Sequence, residues 1–135
     1  MNNQTELVNN FIDNFDVEVR TNVPEKSALI TLIKMYKFYR EDPSRWIQGK
    51  GVIIEGKNAK YCLVGCIDKF SPVDYVSNHE FHTYNILLHI IFKDFRFKPT
   101  YITSFNDHNS TKIEHIFDLL EKAILYCINK DYDKK

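Results

Sequence analysis

Residues 111–127 read TKIEHIFDLLEKAILYC, and this stretch predicts a long amphipathic helix near the end of the chain. Its apolar residues recur every three or four positions, which places them on one side of an α-helix. They are Ile113, Ile116, Phe117, Leu120, Ala123, Ile124 and Cys127. Thr111 stands three residues before Glu114, which is the spacing of a capping box, and Ser110 is an alternative cap. The apolar side needs a core to pack against, and most of the chain that can form this core precedes it.

Three earlier stretches also have helical periodicity, at residues 25–39, 62–70 and 79–95. Pro24 suits the first turn of the first helix, and Asn22 stands nearby as a cap. Together with the final helix, these stretches make the predicted fold mostly helical.

The remaining segments are short and partly strand-like. Residues 46–63 hold three glycines around two short apolar runs, a pattern typical of a loop and an irregular hairpin. TYITSF at 100–105 also predicts a strand, and DVEVR at 16–20 alternates like one, after an amphipathic stretch that favours a short helix. We therefore predict an α+β, mostly α fold, in which three or four helices pack around a small irregular β-sheet or hairpin. Residues 1–23 would be an extension of a single globular domain at residues 24–135.

Composition and charge exclude several classes of function. The chain has 135 residues, which suits one domain, and its 18 basic residues balance 18 acidic ones. A neutral balance gives no general attraction to nucleic acid. The longest apolar run, residues 86–92, is far shorter than the roughly 20 residues that span a bilayer. The polar start MNNQTELVNN lacks the features of a signal peptide, so we expect a cytoplasmic protein with its cysteines as thiols.

Four features of the sequence occur in a recognisable order: WIQG at 46–49, CLVGC at 62–66, FND at 105–107, and the final helix. With the helix before them, they resemble a family of small bacterial and phage proteins called domain of unknown function 6197, over about residues 25–129. Members of that family have, in this order, a helix, a W-x-x-G motif, a C-L-x-G-A motif, a second helix, a W-N-D motif and a last helix. This chain departs at Cys66, where alanine is usual, and at Phe105, where tryptophan is usual. The family has no established activity, so the resemblance implies a fold and the position of a site.

Cys62 is the candidate nucleophile. A thiol at a helix N-terminus is drawn toward the thiolate by the helix dipole, and papain-like enzymes also place their cysteine between a strand and a helix. The base would be one of three histidines, namely His79, His82 and His108. The catalytic set for this interpretation is Cys62, His108 and Asp107, with Asn106 as an alternative orienting residue. The other interpretation is that Cys62 packs as a small buried hydrophobe.

A metal site is the second chemical interpretation of these residues. His79 and His82 are three residues apart, and Cys62 and Cys66 are four apart, so each pair shares a helical face. Zinc could combine two ligands of each kind. Neither spacing is that of a zinc ribbon or finger, and the HExxH motif is absent. We therefore expect no metal and no cofactor.

The binding interpretation centres on Trp46, Gly49, Asn106 and Asp107. Trp46 is the only tryptophan, and Gly49 lets the backbone approach a ligand closely, so the indole would stack on a planar molecule. Asn106 and Asp107 end the predicted strand beside a helix N-terminus, where small polar ligands bind. In the alternative, Trp46 belongs to the core and the Asn–Asp pair makes a turn. We expect the four residues to lie near one concavity, with Cys62 at or below its wall.

The sequence as a whole favours a non-catalytic small binding protein of phage or mobile-element type. It would sequester a small nucleotide-like ligand or inhibit a host defence protein. No complete catalytic motif is present, and the aromatic content, with 10 Phe and 8 Tyr, exceeds what the helix faces require. The alternative is a cysteine-dependent hydrolase that uses Cys62 as its nucleophile, and a third hypothesis is a structural or regulatory protein without a pocket.

Overall fold

The computed structural model describes residues 3–56, 58–72, 79–95 and 101–135. This part of the chain contains six α-helices and one two-stranded antiparallel sheet. In chain order they are α1 (Asn3–Asp13), α2 (Pro24–Glu41), β1 (Val52–Glu55), β2 (Asn58–Tyr61), α3 (Leu63–Phe70), α4 (His79–Asp94), α5 (Ile102–Asp107) and α6 (Ile113–Asn129). The predicted α+β, mostly α class is confirmed.

Helix α2 is the centre of the core. It is buried without a break from Ser27 to Ile33, because α3, α4 and α6 all pack against it. Burial on all sides favours apolar side chains, and five of these seven residues are apolar, the other two being Ser27 and Thr31. Its N-cap is Val23 rather than the predicted Asn22, and Thr21 Oγ accepts the Val23 N–H at 3.1 Å.

Helix α6 confirms the prediction made from its apolar spacing. Ile116, Leu120 and Ile124 are completely buried in the core. The helix begins one residue later than the capping box predicts, because its N-cap is Lys112 rather than Thr111. The backbone N–H of Lys112 donates to Nδ1 of His115 at 2.8 Å, so a histidine supplies the polar contact that was expected of Glu114.

The N-terminal residues are packed onto the rest of the molecule through α1. Val8 and Ile12 are buried in the same core, and Thr5 donates a hydrogen bond of 2.9 Å to the buried carboxylate of Glu121 on α6. Glu121 also accepts from Tyr36 on α2 at 2.8 Å, so one carboxylate joins three helices.

Two segments that were predicted as strands are not strands. Residues 16–20 form an irregular turn, in which Asp16 Oδ1 accepts the Glu18 N–H at 2.9 Å, as aspartates do in turns. The stretch TYITSF belongs largely to α5, because Ile102 and Phe105 are three residues apart and both face the core. Its β-branched composition suggested a strand, but burial of these two side chains requires a helical turn.

The predicted hairpin is present and largely exposed. Strand β1 pairs with β2 in the register Val52 to Tyr61, and Ile54 on β1 is 72% exposed. Trp46 joins Tyr61 from the other side through a parallel bridge, which brings the WIQG segment next to the start of α3.

Across the described residues, no helix combines the length and the apolar character needed to cross a membrane.

Candidate binding site around Trp46 and Asn106

Asn106 is a completely buried carboxamide in the last turn of α5. Its Oδ1 accepts hydrogen bonds from the indole N–H of Trp46 at 2.7 Å and from the backbone N–H of Leu63 at 3.1 Å. Its Nδ2 donates to the Ile47 carbonyl at 3.0 Å and to Asp107 Oδ1 at 2.8 Å. A carboxamide has two donors and two lone pairs, so Asn106 has no polar capacity left. It ties α5 to the WIQG segment and to the start of α3.

Asp107 is exposed and is held by the same cluster. Its Oδ1 accepts the Gly49 N–H at 2.8 Å in addition to the Asn106 amide. Gly49 has a φ of +81°, a backbone conformation that glycine adopts without strain. The second carboxylate oxygen, Oδ2, accepts from no described residue. One carboxylate oxygen is therefore structural, and the other is available to a ligand.

Gln48 completes the cluster from the WIQG segment. Its Nε2 lies within hydrogen-bond distance of three backbone carbonyls around the end of α5, those of Asn106, His108 and Thr111, at 3.0, 2.9 and 3.3 Å, so its two hydrogens are shared among them. Its Oε1 makes no hydrogen bond with a described residue. Like Asp107, Gln48 therefore uses part of its side chain for structure and leaves an acceptor at the surface.

Trp46 is half-buried, and its ring packs against the edge of the core. Because Asn106 takes its only polar hydrogen, the indole can offer a ligand its ring surface alone. The structure thus brings Trp46, Gly49, Asn106 and Asp107 into one cluster. We call its outward part, formed by Trp46, Gln48, Gly49 and Asp107, the Trp46 surface.

Cys62 lies directly behind this cluster as the N-cap of α3. It is 4% exposed, and its Sγ accepts the Gly65 N–H at 3.3 Å. Its own N–H donates to the Gly51 carbonyl at 3.0 Å. The predicted position at a helix N-terminus is confirmed. The thiol nevertheless points into the helix cap, where it satisfies a backbone donor.

The close approach of α3 to Gly51 explains why the CLVGC motif has a glycine at position 65. A Cβ atom at this position would lie 2.3 Å from the carbonyl oxygen of Gly51. Only glycine lets α3 approach the segment before β1 so closely, and this contact fixes the geometry behind the Trp46 surface.

The groups beneath the site are neutral at physiological pH. The Tyr39 hydroxyl donates to the Tyr61 carbonyl at 2.8 Å, and burial raises the pKa of Tyr39 above its usual value. Burial also raises the pKa of Cys66 to about 12, with Tyr39 as its neighbour. Cys66 is therefore a packed thiol rather than a thiolate.

Of the three histidines considered for catalysis, His108 lies on a different segment from the other two. His108 follows α5, where its Nδ1 accepts the Ser110 N–H at 3.1 Å and lies 2.6 Å from Ser110 Oγ. The Asp107 carboxylate that was expected to orient it instead contacts Gly49 and Asn106. His79 and His82 lie on α4. Within the described ranges, no group of three or more His, Cys, Asp or Glu side chains is placed to hold a metal ion.

Sequence reasoning found the residues of the cluster but not their contacts. Asn106 and Asp107 were expected at the end of a strand beside a helix N-terminus, whereas they end a helix and Asn106 is buried. Gln48 was missed, and its place inside the WIQG motif is the one signal that pointed to it. Neither a protein-family model, a curated protein nor a solved structure matches this chain. The family resemblance therefore stays a prediction.

Proposed function

We propose that this chain is a non-catalytic small binding protein whose ligand is a planar molecule with amino groups, such as a nucleobase. The ligand would bind at the Trp46 surface. The observation that carries the proposal is that Asn106 hydrogen-bonds both the indole of Trp46 and the carboxylate of Asp107. Two groups that are fixed in advance lose little freedom when a ligand binds, and this improves affinity.

The free polar atoms of the Trp46 surface indicate the chemistry of the ligand. Asp107 Oδ2 and Gln48 Oε1 are both acceptors, so a matching ligand must donate hydrogen bonds. The exocyclic amine of adenine, cytosine or guanine does so, while its ring stacks on the indole of Trp46. Stacking of a base on an aromatic side chain contributes about 1–3 kcal/mol. The carboxylate repels phosphate, which favours a base or nucleoside over a nucleotide.

The geometry argues against the hydrolase alternative. A nucleophile has to reach the substrate, whereas Cys62 is buried and caps α3 through its sulfur. A host protein is the alternative partner, since Val52 and Ile54 of β1 are exposed. The phage or mobile-element setting rests on the sequence resemblance alone.

A fluorescence titration tests the proposal, because Trp46 is the only tryptophan. Adenosine should quench Trp46 saturably, and purine riboside, which lacks the exocyclic amine, should bind more weakly. Asp107→Asn keeps one oxygen for the Gly49 N–H but replaces the other oxygen with an amide nitrogen. It should weaken adenosine binding about tenfold, as expected for a lost hydrogen bond to a charged group. Asp107→Ala should also weaken binding without unfolding the protein.

The matched control is Glu114→Gln, which neutralises an exposed carboxylate on α6. It should leave the titration unchanged. Equal affinity of the wild type and Asp107→Asn for adenosine, or no quenching by any amino-bearing base, would refute the Trp46 surface as the ligand site. A lack of quenching by every amino-bearing base is also the result expected if the partner is a protein.

A further inference from the structure

A cavity of about 410 Å³ lies at the far end of α3 from the Trp46 surface. It is bounded by residues 17–22, the first half of α2, the end of α3 and the first residue of α4. We call it the His79 cavity. Its walls carry both polar and apolar side chains, among them Arg20, Ser27, Ile30, Lys34, Phe70 and His79.

Two buried polar side chains in this cavity have no hydrogen-bond partner. His79 is 4% exposed, and both of its ring nitrogens are unpaired. Ser27 is 2% exposed, and its hydroxyl is also unpaired. Folded proteins pair nearly all of their buried polar groups, because an unpaired group loses its hydration and gains nothing in return. Two such groups in the wall of one cavity indicate that a bound molecule supplies the missing partners.

The surrounding charges indicate the sign of that molecule. Arg20 and Lys34 line the cavity with one opposing carboxylate, Glu18. One helix begins at its wall, since α4 starts at His79. The N-terminus of a helix carries a partial positive charge and attracts anions. Cations and one helix N-terminus therefore predominate around the unpaired groups.

We propose that the His79 cavity binds a small organic anion, with a carboxylate or phosphate group on a compact apolar body. The anionic oxygens would accept from the Ser27 hydroxyl and from His79, whose ring donates from both nitrogens when it is protonated. Arg20 and Lys34 would balance the charge. Val17, Ile30 and Phe70 would pack against the apolar body.

This site is independent of the Trp46 surface. Leu63 at the start of α3 contacts Asn106, whereas Phe70 and Pro72 at and beyond its end line the His79 cavity. The two proposals need different ligands and have different reporters, so either one can fail alone.

Nitrogen NMR of the histidine rings tests the proposal directly. The chain has five histidines, and benzoate serves as a probe that combines a carboxylate with an apolar ring. Benzoate should shift the ring nitrogens of His79 saturably, and inorganic phosphate should shift them more weakly because it lacks the apolar body. Benzyl alcohol, a neutral molecule of the same shape, should have little effect.

Two variants separate binding from folding. Ser27→Ala removes an unpaired hydroxyl, so it should weaken benzoate binding about tenfold while leaving the melting temperature unchanged or higher. His79→Gln should also weaken binding, whereas His82→Gln on the same helix should not, since His82 does not line the cavity.

The proposal is overturned if millimolar benzoate and phosphate leave the His79 nitrogens unchanged, because the cavity then holds only water. It is also overturned if Ser27→Ala binds benzoate as tightly as the wild type. If His79→Gln does not fold, the wild-type titration and Ser27→Ala decide the outcome.

Discussion

The side chain of Asn106 makes four hydrogen bonds to three parts of the chain, and these bonds give a direct prediction. Asn106→Asp keeps the shape but replaces the amide donor with an oxygen. That oxygen would face the Ile47 carbonyl and the Asp107 carboxylate, both of which are acceptors. We expect the free energy of unfolding in urea to fall by at least about 2 kcal/mol, since a buried polar group is left unpaired beside like charge.

Asn109→Asp is the matched control, because Asn109 is exposed in the turn after α5. Asn109→Asp should lower the free energy of unfolding by less than about 0.5 kcal/mol, as for most surface substitutions. Equal costs for the two variants would show that the Asn106 side chain does not hold the site together.

Gly65 offers a second prediction at the scale of one residue, in which two effects compete. Alanine is favoured over glycine inside a helix by about 1 kcal/mol, so helix propensity alone predicts that Gly65→Ala stabilises α3. The added Cβ would lie 2.3 Å from the Gly51 carbonyl oxygen, which is backbone and moves little. The clash should prevail, with a net loss of about 1–3 kcal/mol by urea unfolding.

The control for this prediction is Gly51→Ala, on the other side of the same contact. A Cβ at Gly51 has no atom within 4 Å, and its φ is not in the left-handed region. Gly51→Ala should therefore be close to neutral. A stabilised Gly65→Ala would mean that α3 does not approach this segment as closely as described.

At the scale of elements, α6 gives the prediction that depends most directly on its apolar spacing. Leu120 is completely buried, and truncating a core leucine leaves a cavity. Leu120→Ala should reduce the free energy of unfolding by about 2–5 kcal/mol, measured by urea titration. Leu7→Ala on α1 is the control, since Leu7 is 58% exposed. A cost for Leu120→Ala below about 0.5 kcal/mol would place Leu120 at the surface.

Helices with a long periodic pattern are the elements that the sequence predicts most directly, although the shorter α1, α3 and the hairpin were also predicted. Helices α2, α4 and α6 each run for four or more turns, so their spacing outweighs the preferences of single residues. Helix α5 has only six residues, and its helical state is decided by the burial of Ile102 and Phe105 against distant partners. The six residues of α5 do not by themselves reveal contacts with distant residues, and for this reason α5 was predicted as a strand.

The same reasoning explains what was found of the site. The motif order led to Trp46, Asn106 and Asp107, which the structure does bring together. The burial of Asn106 and the role of Gln48 depend on hydrogen bonds between residues about 60 positions apart, and no local pattern encodes them.

At the scale of the whole molecule, the three cysteines report on the integrity of the core. Cys62, Cys66 and Cys127 are all buried, and burial raises the pKa of both Cys66 and Cys127 to about 12. Buried thiols that a reagent cannot reach react slowly with alkylating agents. Iodoacetamide near neutral pH should therefore modify the three thiols slowly in the native protein. In denaturant it should modify all three quickly, as measured by mass spectrometry. Rapid modification of native Cys62 would instead support the nucleophile interpretation.

The central claim is that the molecule presents a prepared binding surface at Trp46, and one NMR resonance tests it most directly. The single tryptophan gives a single indole N–H signal, from the group that donates to Asn106. Adenosine stacked on the indole and bonded to Asp107 should shift this signal progressively to saturation, and purine riboside should shift it only at higher concentration. If the indole signal stays unchanged through the whole adenosine titration, the Trp46 surface is not the binding site and the account of its function is wrong.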